Sequence, residues 1–140
     1  MRGIPGSGKS YYAKLMAHEC DGVIFSADQY FELGGQGYKF DPTKIGAAHQ
    51  YCFNRFIAAA RKDPDRHIFV DNTNVHLWEI SPYVLAGAAA GHEAELVHVH
   101  CDVERAIARN THGVPEAVIR RMHHEFEAPL LFWKQRVVEN

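Results

Sequence analysis

The stretch Gly3-Ile4-Pro5-Gly6-Ser7-Gly8-Lys9-Ser10 constrains this chain more than any other. It has the spacing G-x-x-x-x-G-K-S of a phosphate-binding loop. Its glycines admit positive φ and let the backbone approach a ligand where a Cβ would intrude. Successive N–H groups then converge on one concavity that holds phosphate oxygens. A helix-forming segment follows, and its N-terminus offers unpaired N–H groups and partial positive charge to the same anion. In that frame Lys9 reaches the β- and γ-phosphates of ATP, and the Ser10 hydroxyl ligates Mg²⁺. Gly3, Pro5, Gly6, Ser7, Gly8, Lys9 and Ser10 are the candidate nucleotide-binding residues. The bland alternative, a Gly-rich turn before an ordinary helix, leaves the fixed positions of the pattern unexplained.

Such a loop follows a buried strand, and only Met1 and Arg2 precede Gly3. Either the N-terminal strand is truncated, the start lying several residues too far downstream, or another segment fills its place. The first is preferred, because the rest of the pattern is intact.

Downstream, helical segments alternate with short apolar runs. A helix from Ser10 to about Glu19 leads to the buried strand Gly22–Ser26, which puts Asp28 at a strand's carboxyl end. Ligands bind at that edge in open α/β sheets. Residues 31–40 mix glycines with aromatics and read as an irregular loop, either a packed turn or a substrate contact. Asp41-Pro42 opens a helix to about Lys62, with Ile45, Ala48, Cys52, Phe56 and Ala59 along one face. His67–Val70 is the next strand. Asp71 at its end matches the second magnesium-associated position of P-loop enzymes; the alternative is an ordinary strand-end aspartate. Thr73 and Asn74 either cap the next helix or touch ligand.

That helix covers 76–90, with Pro82 bending it or placing its start nearer Ser81. In the strand Ala94–Cys101, Val97 and Val99 face one way and His98 and His100 the other. These histidines read as structural, since no second ligand pair has zinc spacing. Asp102 caps a helix to about Arg109, on which Arg105 and Arg109 share a face. Pro115 opens another, through about Glu127, and Leu130 to Trp133 begins a final helix or an extended tail. The whole predicts an α/β fold: a P-loop NTPase-type parallel sheet flanked by helices, with right-handed crossovers, as one domain over 1–140.

The net charge of −2 excludes a large basic surface for duplex DNA. It leaves room for gripping a single nucleic-acid end. No apolar run is long enough for a membrane span, and the start has no secretory pattern. Cys20, Cys52 and Cys101 lack paired spacing and read as buried thiols in a reducing compartment, so a cytoplasmic location is expected.

Four stretches in order resemble P-loop kinases similar to polynucleotide kinase, in the branch of small AAA-type ATP-binding proteins. They are Gly3–Ser10, Ser26-Ala27-Asp28-x-Tyr30, Val70-Asp71-Asn72-Thr73-Asn74 and Arg109-Asn110-Thr111-His112-Gly113-Val114-Pro115. The resemblance runs from Gly3 to about Glu127. It implies transfer of the ATP γ-phosphoryl to an acceptor hydroxyl, in polynucleotide kinase the 5′-hydroxyl of a strand. It places the base-like aspartate at Asp28 and an arginine-bearing lid at 105–114, with Arg109 the best match and Arg105 beside it. Lys9, Asp28 and Arg109 become the candidate catalytic residues, Arg105 and Arg109 further ATP contacts, and Ser10 and Asp71 the candidate Mg²⁺ ligands. Two positions depart from the pattern. Phe31 stands where polynucleotide kinase has a basic residue, and His112-Gly113 where its lid carries a further arginine. Both bear on nucleic-acid ends more than on kinase chemistry. Two alternatives stand beside this reading: a kinase for a sugar, nucleoside or antibiotic hydroxyl, and a non-kinase ATP-binding module that regulates a partner.

Overall fold

A computed structural model describes residues 1–35 and 37–140; the part of the 31–40 loop at Gln36 lies outside the described residues. Among the described residues, short apolar runs form three strands, β1 (Val23–Phe25), β2 (Ile68–Val70) and β3 (Leu96–His100), and a more polar stretch forms β4 (Gln135–Glu139). They make two parallel pairs, with Ile24 opposite Phe69 and His98 opposite Val137. Met1, Arg2 and Gly3 run between the pairs. The Met1 nitrogen donates to the Val70 carbonyl at 2.8 Å. The Arg2 N–H reaches Val97 at 2.8 Å, the Val99 N–H reaches Arg2 at 2.9 Å, and the Gly3 N–H reaches Thr73 at 3.0 Å. These residues occupy the place of the strand before the loop. The second expectation, that another segment fills it, does not hold among the described residues: β4 pairs with β3 alone. A cavity of about 650 Å³ lies beside Met1, between β2 and β3.

Among the described residues five α-helices flank the strands: α1 (Lys9–Glu19), α2 (Ile45–Lys62), α3 (Leu77–Ala89), α4 (Val103–Arg109) and α5 (Glu116–His124). On α2, Ala48, Cys52, Phe56 and Ala60 recur every fourth residue and pack against Phe25, Ala27 and Phe31. Ala13 of α1 packs with Met1, Val97 and Val99. Ile4, Cys101, Ala106 and Ile119 join the loop to α4 and α5. Burying such side chains is the main favourable term in folding.

Several expectations shift. Pro82 lies inside α3, which starts at Leu77 rather than near Ser81. The Glu79 carboxylate accepts the His76 N–H at 2.8 Å and sets the early start; Pro82 is on the exposed face, where water can serve the carbonyl its missing N–H leaves. Helix α5 stops at His124, short of Glu127. There the Glu127 N–H turns to the Val75 carbonyl at 3.0 Å, and the Glu127 carbonyl accepts from Arg2 at 2.8 Å. After Leu130–Trp133 the chain is extended, as β4, not helical. All three thiols are free, but Cys20 is only half-buried. No helix among the described residues is long and apolar enough to cross a membrane.

Candidate active site

The loop bends through Gly6 and Gly8, at φ of 82° and 92°. Gly8 is the N-cap of α1; no side chain caps that end, and no acidic residue sits in its first turn. The first N–H groups of α1 and their partial positive charge are thus left for an external anion. A Cβ on Gly6 would collide with the Ala106 carbonyl, because α4 lies directly on the loop. Here the glycine is required by packing as well as by ligand approach. Ser7 is fully buried, and its Oγ has no hydrogen-bond partner among the described residues. From the end of β4, Asn140 Nδ2 braces the Ser7 carbonyl at 2.8 Å.

Two strand ends place carboxylates near Lys9. Asp71 follows β2, and its N–H donates to the Phe25 carbonyl at 2.8 Å. Burial pulls the Lys9 ammonium below the usual lysine range, while the charges of Asp71 and Asp28 oppose that shift. Asp71 is only 8% exposed, and its Oδ1 is buried with no partner among the described residues. An orphaned carboxylate oxygen, with the exposed Ser10 hydroxyl at the start of α1, suits a hard cation. Mg²⁺ takes oxygen ligands and keeps most of its shell as water and substrate phosphate.

Asp28 lies in a 3-10 helix, Ala27–Glu32, whose cap is Ser26. The Ser26 Oγ accepts the Asp28 N–H at 3.2 Å, and the Gln29 Oε1 accepts the Ser26 N–H at 3.3 Å. The Asp28 side chain is therefore not used for capping. Its Oδ1 accepts the Tyr38 hydroxyl at 3.0 Å. Burial pushes the Tyr38 phenol up to about 12, with the Asp28 charge and hydrogen bond adding. The ring of Tyr38 meets that of His112 at 5.2 Å between centroids. Phe31, the residue that departs from the polynucleotide kinase pattern, is buried, and its ring meets that of Phe40 at 5.2 Å.

Asn72 and Asn74 face inward. The Asn72 Oδ1 accepts the Ala27 N–H at 2.9 Å and ties the ends of β1 and β2 together. Asn74, at φ 48°, donates from Nδ2 to the Met1 carbonyl at 2.7 Å. Neither caps α3, and the Thr73 carbonyl is taken by Gly3. Arg105 and Arg109 are exposed on α4, and neither guanidinium makes an ion pair or hydrogen bond among the described residues. Arg105 lines a cleft of about 520 Å³ with His100, Glu139 and Asn140, next to the loop that Asn140 braces. Sequence reasoning did not single out Tyr38 or the tie through Asn72. The aromatic content of 31–40 was the available signal for the first; nothing local marks the second.

A family model described as an AAA domain matches residues 1–129. Human NEDD4-binding protein 2 is 36% identical over 134 residues, which cover 91% of this chain and 7% of that protein. The chain thus spans a small fraction of that relative's length. A gluconokinase structure from Sinorhizobium meliloti 1021 superposes with a TM-score of 0.64 at 16% identity, covering 99% of this chain and 79% of that one. A sugar kinase structure from Janibacter sp. HTCC2649 gives 0.67 at 14% identity, covering 99% and 82%. At these identities the likeness is one of fold: the parallel α/β architecture of P-loop kinases.

Proposed function

The chain belongs to the AAA domain family, and on that footing we propose that it is an ATP-dependent phosphotransferase acting on an acceptor hydroxyl. The observation that carries this is the uncapped N-terminus of α1 behind the bend at Gly6 and Gly8, with Lys9 as its first residue and the unpartnered Asp71 Oδ1 at the end of β2. The backbone of residues 3–10 cradles the phosphates, and Lys9 with Arg109 and Arg105 neutralises charge as it develops on them. Ser10 and Asp71 would hold Mg²⁺, which would help neutralise charge on the phosphates. Asp28 accepts a hydrogen bond from the attacking hydroxyl and takes its proton late. A carboxylate is a weak base for an alcohol, but a loose transition state needs little early deprotonation. The three free thiols fit a reducing, cytoplasmic setting.

Asp28 is exposed. That exposure favours the end of a large acceptor, a polynucleotide 5′-hydroxyl. A second reading, a sugar or nucleoside hydroxyl, draws on the cations. Arg120 is held by Glu104 and Glu116, each at 2.7 Å, and Lys44 lies 3.7 Å from Asp41, so charges suited to tracking a phosphodiester backbone are engaged. The test is transfer of label from γ-labelled ATP with Mg²⁺ to 5′-hydroxyl DNA and RNA oligonucleotides, sugars and nucleosides. Label on strands supports the first reading, and label on small hydroxyls alone supports the second. ATP bound with no acceptor labelled overturns both.

A further inference from the structure

Tyr38 touches two separate segments of the proposed acceptor side. Its hydroxyl donates to Asp28 Oδ1 at 3.0 Å, and its ring meets His112 of the lid at 5.2 Å. A third contact holds it from below: Phe31, only 8% exposed, lies edge-on to the ring at 6.0 Å. The chain returns to this place through Gly35 and Gly37, at φ 66° and 84°. The next residue locks the return, the Lys39 N–H donating to the Phe31 carbonyl at 3.0 Å.

We propose that Tyr38 is a positioning residue: it orients the Asp28 carboxylate and links that carboxylate to the lid through His112. This rests on the phosphotransferase reading. A carboxylate has two oxygens, and a fixed donor on Oδ1 aims Oδ2 at an incoming hydroxyl. Such pre-orientation is part of what brings a reacting pair into a near-attack geometry. With its phenol pushed up to about 12, Tyr38 stays a donor throughout the neutral range. The ring contact makes the same side chain sense the lid: with His112 away, Tyr38 loses one of the surfaces that hold it, and Asp28 loses its fixed partner. Lid position and carboxylate orientation are then one event.

The test combines kinetics with a readout that needs no turnover. Tyr38→Phe keeps the ring and removes the hydroxyl. Its kcat should fall about tenfold, the scale of a modest misplacement, with KM for ATP unchanged within about twofold. The same change in an Asp28→Asn background should have no further effect. His112→Ala should lower kcat as well, and His112→Phe, which restores a ring, should recover it. By NMR, ring protons of residues 38 and 112 should show a direct contact in the wild-type chain and in Tyr38→Phe. The Asp28 carboxyl ¹³C signal should move in Tyr38→Phe and stay in place in Tyr11→Phe, a change at a ring 68% exposed on α1. An equal loss from Tyr38→Phe in both backgrounds overturns the proposal. So does an effect confined to KM for ATP, or a missing contact between rings 38 and 112. The NMR measurements rule on Tyr38 even when the wild-type chain labels no acceptor, an outcome that sinks the phosphotransferase reading instead.

Discussion

The Gly3–Ser10 loop carries Lys9 and the Asp28–Tyr38 segment carries a carboxylate whose charge acts on it, yet one is built into the sheet and the other lies on the surface. Ser7 is 0% exposed and Arg2 1%, whereas Tyr38 is 36% exposed and Phe40 55%. The loop is fixed by backbone: hydrogen bonds from Arg2 and Gly3, and the Ala106 carbonyl where a Gly6 side chain would be. The Asp28–Tyr38 segment has backbone bonds of its own, such as Lys39 N–H to the Phe31 carbonyl, but Asp28 itself is met by side chains, a phenol on its carboxylate and a ring on that phenol's ring. On the proposed reading, phosphates are the same in every ATP, so a rigid cradle would serve them, and an acceptor side held by a few replaceable side-chain contacts would open more readily and vary more easily. Changes in the loop should therefore disturb fold and nucleotide together, and side-chain changes at Asp28 and Tyr38 should disturb transfer alone.

The largest effect should come from Lys9→Ala. Turnover should drop at least about 10²-fold, the scale of removing one transition-state donor, read as label transferred per minute at saturating ATP. Turnover equal to wild type would remove Lys9 from the chemistry.

Next comes a matched pair of glycines. Gly6 and Gly37 have nearly the same backbone, at φ 82° and 84°. A Cβ on Gly6 meets the Ala106 backbone, and one on Gly37 meets nothing within 4 Å. Gly37→Ala should cost only the left-handed penalty, about 1–2 kcal/mol. Gly6→Ala should cost more than that and weaken ATP binding too. Equal costs in urea unfolding would mean that α4 does not press on the loop.

A smaller effect lies in pH. Burial, aided by the charges of Arg2 and His100 and opposed by Glu139, lowers His98 to about 4. The unfolded histidine takes its proton near 6.5, so between those values the unfolded chain binds more protons. Stability should then fall as pH drops from about 6.5 to 4. His98→Gln should flatten part of that slope in melting temperatures across the window, and an unchanged slope would show that other groups carry it.

Much of the donor side was legible because its signals are local. Eight consecutive residues carry the loop, and apolar runs ending in polar residues put Asp28 and Asp71 at strand ends. What escaped is long-range. Arg2 reads as a poor strand residue, yet it is buried because Asn74, Val75 and Glu127 offer it carbonyls and Phe126 a ring face. Strand β4 carries Gln135, Arg136 and Glu139, an exposed edge composition without the apolar run of a buried strand. Asn72 joins Ala27 across 45 positions, and no spacing rule marks such a pair. The acceptor segment showed only that aromatics gather around glycines; which of them meets Asp28 depends on how the loop closes.

The most direct test of this division is ATP affinity and phosphoryl transfer measured together on Asp28→Asn. The account predicts ATP binding within about threefold of wild type, with transfer reduced about 10²-fold, the contribution of a positioned base. If ATP affinity falls along with transfer, Asp28 belongs to the nucleotide and metal side, and the separation of the two halves is wrong.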